Sequence, residues 1–304
     1  MTIHRSSITA LMSAYVRAYH SKRDANPIFD DFFAERLFTV EERSSIESNL
    51  VAALPFFDPE RVTSCPDADA ALSLVIRAMN ATTVISRARY TEDVLAKMVH
   101  EGVQQYVILG AGMDTFALRR SDMLGQIEVF ELDHPATQAD KRRRLERAGV
   151  SCPERLHFIP IDFTTERLPD ALNRSRYSPE KSTLFSWLGV TYYLTGEEVL
   201  RALRDIATLS PGGSAIIFDY MDADALDPRK ASMRMQKVQA IAGRSGEPMK
   251  TGFDPRSLAE DLAKTGLLVK ENLCPADIEE RYFRGRIDGC HAFEHVHFAW
   301  AVVA

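Results

Sequence analysis

The spacing of apolar positions changes near residue 105. Before that point, apolar residues recur at helical intervals, first from Ile8 to Tyr19 and again from Ala71 to Met79. Prolines divide this part of the chain into several short helices, and no strand pattern stands out. We therefore predict a helical cap over residues 1–104 that contributes to the functional site.

Short apolar runs alternate with amphipathic stretches in the rest of the chain. The runs are 106–110, 127–133, 156–162, 182–190 and 214–220. Apolar strands separated by helices are typical of a parallel sheet covered on both faces. Two later runs, 266–273 and 295–303, are joined by a segment too short for a crossover helix. We predict an α/β core over 105–304, with a mostly parallel seven-stranded sheet and an antiparallel pair at one edge.

Charge, cysteine spacing and hydropathy each argue against a class of partner. The formal net charge of −6 provides no basic field for a phosphate backbone, so we expect no nucleic-acid partner. No stretch has the length of an apolar membrane span or the pattern of a signal peptide, so we expect a cytoplasmic protein without a membrane partner. The cysteines lack zinc spacing, and we expect no metal and mainly buried, reduced thiols at Cys65, Cys152, Cys274 and Cys290.

A glycine-rich turn follows the first predicted strand, in the segment VILGAGMDT at 107–115. Small residues at Gly110, Ala111 and Gly112 would allow a ligand to approach the backbone, and the amides of the following helix would offer donors. A tight strand-to-helix turn without a ligand is the alternative when this segment is taken alone.

Acidic residues end the second and third predicted strands. Asp133 lies roughly 20 residues after the glycines, where a carboxylate can accept hydrogen bonds from both hydroxyls of a ribose. Asp162 and Phe163 end the next strand, and could receive the amino group and the ring of an adenine. The alternative is that these acids only terminate strands or cap helices.

These segments resemble the leucine carboxyl methyltransferase and polyketide O-methyltransferase family, the group typified by the tetracenomycin C-ring methyl ester-forming enzyme. The resemblance covers nearly the whole chain. It is most specific in VILGAGMDTFALRR at 107–120 and FELDHPATQADKRRRL at 130–145, with WLGVTYYLT at 187–195 as the motif of the fourth strand.

The resemblance implies a Rossmann-like class I methyltransferase that uses S-adenosylmethionine and releases S-adenosylhomocysteine. Arg89 and Lys22 look like the family's cations for the carboxylate of the cofactor, which an arginine can bind with two parallel hydrogen bonds. Solvated surface cations are the alternative for both. The implied cofactor-binding residues are Lys22, Arg89, Gly110, Ala111, Gly112, Asp133, Asp162 and Phe163.

Leu188 departs from part of the family, because the leucine carboxyl methyltransferases carry a glutamate in this motif. The departure puts in doubt a transfer of protein-carboxyl methylation to this chain, which looks like a bacterial branch with the Trp-Leu-Gly-Val form. We predict O-methylation of a carboxylate or hydroxyl of a small, polyketide-like molecule in secondary metabolism. The alternatives are protein C-terminal carboxyl methylation and a non-catalytic S-adenosylmethionine-binding regulatory module. A nicotinamide-dependent oxidoreductase fits less well, because Thr115 occupies the place of a third glycine.

The sequence does not identify a catalytic residue. A carboxylate acceptor is already ionised at pH 7 and needs no general base, whereas a hydroxyl acceptor is helped by one. Tyr193 and His295 are the candidates we retain from a group that also contains Tyr192, His291 and His297, with structural histidines at a sheet edge as the alternative.

Two further segments have a predicted role. We expect 221–250 to form a lid over the acceptor, because its methionines suit an adaptable apolar lining. We expect the basic run from Lys141 to Arg144 to form one solvated helix face.

Overall fold

The structure, a computed structural model, describes residues 7–244 and 246–304. The first six residues of the predicted helical cap and Ser245 of the predicted lid lie outside the described residues.

Helices form the chain from Ser7 to the first strand, as the apolar spacing predicts. Side-chain caps define several of their starts: Ser7 accepts from the amide of Ala10, and Thr39 forms a capping box with Glu42. The helices are α1 (Ile8–Arg23), α2 (Val40–Ala52), α3 (Leu54–Phe57), α4 (Ala68–Ala78) and α5 (Ala81–His100), with 3-10 turns at Ala34–Leu37 and Pro59–Arg61.

A seven-stranded sheet follows, with the strand order β3-β2-β1-β4-β5-β7-β6. The strands are β1 (Gln105–Leu109), β2 (Glu128–Asp133), β3 (Leu156–Pro160), β4 (Thr183–Trp187), β5 (Ala215–Met221), β6 (Leu267–Leu273) and β7 (Val296–Val303). Strands β1 to β5 pair in parallel, whereas β7 pairs antiparallel with both β5 and β6. The predicted antiparallel edge pair is confirmed, and β7 is the strand that runs against the other six.

Helices cover both faces of the sheet, so the predicted Rossmann-like α/β class is confirmed. Alternate residues of the central strand β1 enter different cores. Tyr106 and Ile108 pack in a cluster with α4 and α5, whereas Val107 and Leu109 pack in a cluster with three later helices, at Leu168–Asn173, Gly196–Leu209 and Leu258–Ala263. The later helices are α6 (Phe116–Arg119), α7 (Ser121–Leu124), α8 (Pro135–Arg147), α9 (Leu168–Asn173), α10 (Gly196–Leu209), α11 (Met233–Arg244), α12 (Leu258–Ala263) and α13 (Pro275–Ile278). Shorter 3-10 turns lie at Thr191–Tyr193 and Ala223–Leu226, and one π-helical turn lies at Glu279–Phe283.

The basic run on α8 is not one solvated face, and that prediction is wrong. Lys141 is only 1% exposed and pairs with Glu131 of β2, and Arg144 is bound to Asp140 and Glu42. Arg143, at 72% exposed, does lie in solvent. Helix α8 packs against the sheet, and residues three apart share its inner face.

The cysteines are less buried than we predicted. Cys152 is exposed, and the thiols of Cys65, Cys274 and Cys290 are partly accessible and free.

Within residues 7–244 and 246–304, no single helix combines the length and apolar character of a membrane span. Helices α4 and α5 reach that threshold only as a pair bent by 62°.

Candidate active site

A cavity of about 530 Å³, here called the main cavity, opens at the carboxyl ends of β1, β2, β3 and β4. The strand order reverses between β1 and β4, and ligands of such sheets bind at this switch point. The helical cap contributes Ile8, Met12, Phe29 and Val84 to the lining, and α11 contributes Val238 and Ile241.

The glycine turn forms the wall after β1. Gly110 and Gly112 both have left-handed backbone, with φ of 67° and 53°. A Cβ at position 110 would collide with Val190, and one at position 112 would lie 3.0 Å from the Cβ of Ala10. The amides of Gly110 and Ala111 donate to the carbonyl of Leu132, which fixes the turn against the end of β2. The turn therefore lines the main cavity with backbone at Gly110 and Gly112, and with only a methyl group at Ala111.

Asp133 is held at the edge of the same turn. Its carboxylate accepts from the amides of Gly112 and His134, the latter at 2.6 Å. Burial raises the pKa of Asp133, although both amides favour the ionised form. Asp133 lines the main cavity, so an acceptor for hydroxyl groups lies where the sequence pattern predicts one.

Asp162 and Phe163 line the main cavity beyond β3. The Oδ1 atom of Asp162 accepts from the amide of Thr164 at 2.9 Å and from its hydroxyl at 2.6 Å. The Thr164 hydroxyl holds the pKa of this half-buried carboxyl below its usual value. The centroids of the Phe163 and Trp187 rings are 6.2 Å apart, so Phe163 packs against a residue of β4.

Arg87 is a residue that sequence reasoning missed. It lies on α5, is 7% exposed and lines the main cavity. Its Nη1 donates to Asp219 at 2.7 Å and to the hydroxyl of Tyr192 at 3.0 Å. Burial opposes its charge, but Asp219 and Tyr192 outweigh burial and raise the pKa of Arg87. The cavity therefore contains a permanent cation.

Arg89 and Lys22 do not reach the main cavity, and the structure corrects both assignments. The guanidinium of Arg89 bonds Asp93 and the carbonyl of Ile28 and lines a different cavity. Arg87 and Arg89 are two residues apart, which turns their side chains about 200° from each other around a helix. Lys22 is 59% exposed and pairs with Glu35 at 2.7 Å. The Ser-Arg-Ala-Arg-Tyr segment offers two arginines, and only the inward face of α5 distinguishes them.

Arg17 is a second guanidinium in the lining that the sequence did not indicate. Its Nη2 donates to the carbonyl of Met113 at 2.6 Å, and its Nε donates to the fully buried Asp31 at 2.8 Å. Arg17 therefore ties α1 to the residue that follows the glycine turn.

Tyr193 lines the main cavity, together with Tyr192 and Leu188. Burial raises the pKa of Tyr193 to about 12. The phenol is therefore protonated at neutral pH, and it is suited to donate a hydrogen bond rather than to remove a proton.

The candidate histidines lie elsewhere. The Nδ1 of His295 lies 2.9 Å from Asp222, and its Nε2 accepts from the amide of Ser232 at 3.1 Å, so both ring nitrogens are engaged. His297 stacks on Tyr220, and His291 is 68% exposed beside Glu279. None of these three residues lines the main cavity, so the structure does not favour His295 as a candidate base.

The lid segment reaches the main cavity through α11 and residues 246–250. The carboxylate of Glu247 accepts from the hydroxyls of Ser7 at 2.9 Å and Thr9 at 2.7 Å, which closes a seam with the start of α1. Of the methionines that suggested an adaptable lining, Met249 lines the cavity, whereas Met233 is 70% exposed.

The sheet order, the glycine turn and the acidic strand ends define a Rossmann-like protein that binds a nucleotide cofactor. The turn at 110–112 forms a cradle that a Cβ at either glycine would fill, and the carboxylates of Asp133 and Asp162 and the ring of Phe163 line the same cavity. These groups fit the amino-acid, ribose and adenine parts of S-adenosylmethionine.

Comparison with known proteins gives the family. The leucine carboxyl methyltransferase model matches residues 10–207. The "Putative S-adenosyl-L-methionine-dependent methyltransferase YktD" of Bacillus subtilis (strain 168) is 39% identical over 99% of each chain. A protein of Parafrankia sp. (strain EAN1pec) with the same description is 31% identical, over 91% of this chain and 76% of its own. The chain belongs to the leucine carboxyl methyltransferase family and is an S-adenosylmethionine-dependent methyltransferase.

Solved structures are more distant. The mitomycin 7-O-methyltransferase MmcR is 14% identical, with a TM-score of 0.47 over 97% of this chain and 74% of that chain. This likeness carries no information about the methyl acceptor.

Proposed function

We propose that the protein transfers a methyl group from S-adenosylmethionine to a carboxylate or hydroxyl oxygen of a small, largely apolar, polyketide-like molecule. The observation that carries this proposal is the continuity of the main cavity. The cavity that contains the glycine turn and Asp133 extends beneath an apolar wall, which includes Met12, Phe29, Val84, Val238 and Ile241. An apolar acceptor would bury its surface there.

The cofactor end consists of groups with separate tasks in this proposal. Gly110, Ala111 and Gly112 back the amino-acid portion, and Asp133 accepts hydrogen bonds from the ribose. Asp162 and Phe163 receive the adenine. Arg87, in place of Arg89 and Lys22, binds the carboxylate, because it is a buried cation at the end of the cavity opposite Asp162 in the strand order.

Catalysis in this proposal is mainly alignment. When bound, the sulfonium of S-adenosylmethionine supplies an already activated methyl group. The protein then has to hold an acceptor oxygen in line and exclude water, which the cap and the lid segment accomplish. Tyr193 orients the acceptor by donating a hydrogen bond to its oxygen. A carboxylate fits this donor best, since it carries its own negative charge at neutral pH and requires no base.

The same proposal assigns a role to each part of the chain. Residues 1–104 form a helical cap, 105–304 form the core, and the lid segment near 221–250 covers the acceptor. Arg234 of α11 donates to the carbonyls of Arg77 and Met79, both at 2.8 Å, so one end of the lid is anchored to the cap.

An acceptor screen with matched pairs tests the proposal. Each pair joins one apolar ring system to either a carboxylic acid or a phenol, and a polar analogue of similar size provides the comparison. Release of S-adenosylhomocysteine and a product heavier by one methylene are measured by mass spectrometry. We expect turnover of apolar acids or phenols, and loss of the methyl from ester products in mild base.

The same screen includes a peptide with a free C-terminus. Methylation of that peptide alone would replace the proposal with protein-carboxyl methylation. Methylation of polar acceptors alone would overturn the apolar assignment. Tight S-adenosylmethionine binding without turnover of any acceptor would favour the regulatory module.

Tyr193→Phe separates orientation from cofactor binding. The substitution removes only the hydroxyl, so we expect the methylation rate to fall about tenfold to a hundredfold while S-adenosylhomocysteine binds as before. An unchanged rate with the preferred acceptor would show that Tyr193 does not contact it.

A further inference from the structure

Asp219 is a fully buried carboxylate behind the main cavity. It lies in β5, has no exposed surface and does not line the cavity itself. Its Oδ1 accepts from the amide of Gly189 at 2.7 Å. Its Oδ2 accepts from Nη1 of Arg87 at 2.7 Å and from the hydroxyl of Tyr192 at 3.2 Å. Three elements, α5, β5 and the loop after β4, therefore meet at one carboxylate.

The contact with Asp219 occupies one nitrogen of Arg87 and leaves the rest of the guanidinium for a ligand. Among the hydrogen bonds to described residues, those of Arg87 all come from Nη1. Its Nη2 lies beside Gly189, where a Cβ would approach it to 2.6 Å. Gly189 has a φ of 75°, which a side chain would also oppose. Both the glycine and the acid thus preserve the position of this guanidinium.

The same carboxylate fixes the loop that lines the acceptor end. Besides the bond from Gly189 to its side chain, the hydroxyl of Thr191 donates to the backbone carbonyl of Asp219 at 2.7 Å. The loop that makes these contacts also carries Leu188, Val190 and Tyr193, which line the main cavity. A shift of Asp219 would therefore move the cation and the acceptor wall together.

We propose that Asp219 is a positioning residue that aims the free edge of Arg87 at the amino-acid carboxylate of the cofactor. This inference rests on the proposed function, in which Arg87 binds that carboxylate. An aspartate is suited to the task because all three of its side-chain partners are donors and one of them is a cation. An asparagine of the same shape would present an amide N–H to one of those donors and would leave Arg87 without its counter-charge.

Two ligands separate positioning from a general structural role. S-adenosylhomocysteine carries the amino-acid carboxylate, whereas 5′-methylthioadenosine has the same adenosine and a thioether but no amino-acid portion. Calorimetric titration of the full-length protein gives the affinity ratio of the two. Charge-assisted hydrogen bonds predict that the wild-type protein prefers S-adenosylhomocysteine by about tenfold to a hundredfold.

In Asp219→Asn and in Arg87→Met, we expect the preference for S-adenosylhomocysteine to fall about tenfold or more, with methylthioadenosine affinity within about twofold of wild type. The double variant should lose no more than the stronger single variant, because both changes remove one interaction. Tyr192→Phe removes only a hydroxyl from the same contact, and we expect a fall of about threefold to tenfold. It gives the same comparison if Asp219→Asn does not fold.

Asp205→Asn is the matched control. Asp205 is also a buried aspartate paired with an arginine, but this arginine, Arg167, does not line the main cavity, whereas Arg87 does. Its preference ratio should equal that of the wild type. A matching fall in this control would show that any lost buried charge has the effect, and would overturn the assignment.

Other outcomes distinguish a failure of the proposed function from a failure of the positioning role of Asp219. If the wild-type protein does not bind S-adenosylhomocysteine, the proposed function fails. If Arg87→Met lowers the preference but Asp219→Asn and Tyr192→Phe leave it unchanged, Arg87 binds the carboxylate and the positioning role of Asp219 is wrong. Equal weakening of both ligands in Asp219→Asn would also overturn that role, because a structural defect does not depend on the amino-acid portion.

Discussion

The amide of Gly112 donates a hydrogen bond to the carboxylate of Asp133, which lies 21 positions further along the chain. The bond joins the glycine turn after β1 to the acid at the end of β2, so each part of the predicted cofactor site supports the other. A second bond, from the amide of His134, holds the same carboxylate. The site is therefore organised by backbone amides before any ligand arrives.

We predict that the affinity for S-adenosylhomocysteine falls as the solution is acidified, starting above the ordinary aspartate pKa of 3.8. Burial raises the pKa of Asp133, and the ribose hydroxyls require the ionised form as acceptor. Protonation of the free protein therefore competes with binding as pH drops through this raised pKa. Calorimetry between pH 8 and the acid limit of folding measures the effect.

Asp133→Asn provides the comparison. We expect it to bind about tenfold to a hundredfold more weakly at neutral pH, because a charged acceptor is lost. Its affinity should change less with pH than that of the wild type. An equally steep acid loss in Asp133→Asn would assign the titration to another group.

Gly110→Ala should weaken cofactor binding and destabilise the fold. The left-handed backbone at this position costs a side chain roughly 1–2 kcal/mol, and the new Cβ collides with Val190. Adding Val190→Ala removes the collision but not the backbone cost, so the double variant should recover part of the loss. Urea unfolding and S-adenosylhomocysteine affinity are the measurements.

Gly125→Ala is the control for this substitution. A Cβ at Gly125 would have nothing within 4 Å, and its φ is −66°. We expect no loss of affinity there. Equal behaviour of the two alanine variants would refute the argument about the turn.

Glu247→Gln should loosen the seam between the lid segment and α1. A glutamine retains one acceptor oxygen, while Ser7 and Thr9 together donate to both oxygens of the glutamate. Loss of a charged hydrogen bond predicts that S-adenosylhomocysteine dissociates about tenfold faster, with little change in the free energy of unfolding. Stopped-flow release measures the rate, and Glu260→Gln, an exposed ion-paired site on α12, is the control. Unchanged release in Glu247→Gln would place the exit path elsewhere.

Lys141→Met should destabilise the protein by about 3–5 kcal/mol, because it leaves Glu131 buried without its partner. Burial already raises the pKa of Glu131 to about 7 in spite of Lys141. A raised pKa in the folded state means that the penalty is smallest at low pH and grows as pH rises. Urea unfolding at several pH values measures both the size and the direction.

Two further variants test whether the loss of stability comes from the unpaired charge of Glu131. Replacing both partners, as in Glu131→Leu with Lys141→Met, should restore stability to near the wild-type value. Arg143→Met, on the exposed face of the same helix, should change it by about 0.5 kcal/mol or less. A mild effect of Lys141→Met alone would mean that water reaches the pair.

Much of the fold could be predicted because its signals are local. Each central strand is a short apolar run buried on both faces, and β1, β4 and β5 are buried throughout. The glycine turn and Asp133 could be located for the same reason, since both follow directly from the ends of such strands.

The wrong predictions for Arg89, Lys22 and His295 have a different cause from the correct ones. Arg87 and Arg89 are residues of the same type in the same helix, α5, so the sequence does not distinguish them. Lys22 lies on the exposed side of α1. Helical rotation decides which arginine enters the cavity, and that rotation depends on how α5 packs on the sheet. His295 was a candidate by residue type, but Asp222 and Ser232 occupy its ring nitrogens.

The sequence by itself determined the succession of strands and helices along the chain, the glycine turn and the acid that faces it. Apolar periodicity and residues adjacent in the chain encode these features. Only the tertiary structure decided that Arg87 lines the main cavity, that Asp219 holds it and that Glu247 contacts Ser7 and Thr9. Asp219 lies 132 positions from Arg87, and Glu247 lies 240 positions from Ser7. Contacts over such separations form only when the sheet and its covering helices pack, so no local pattern records them.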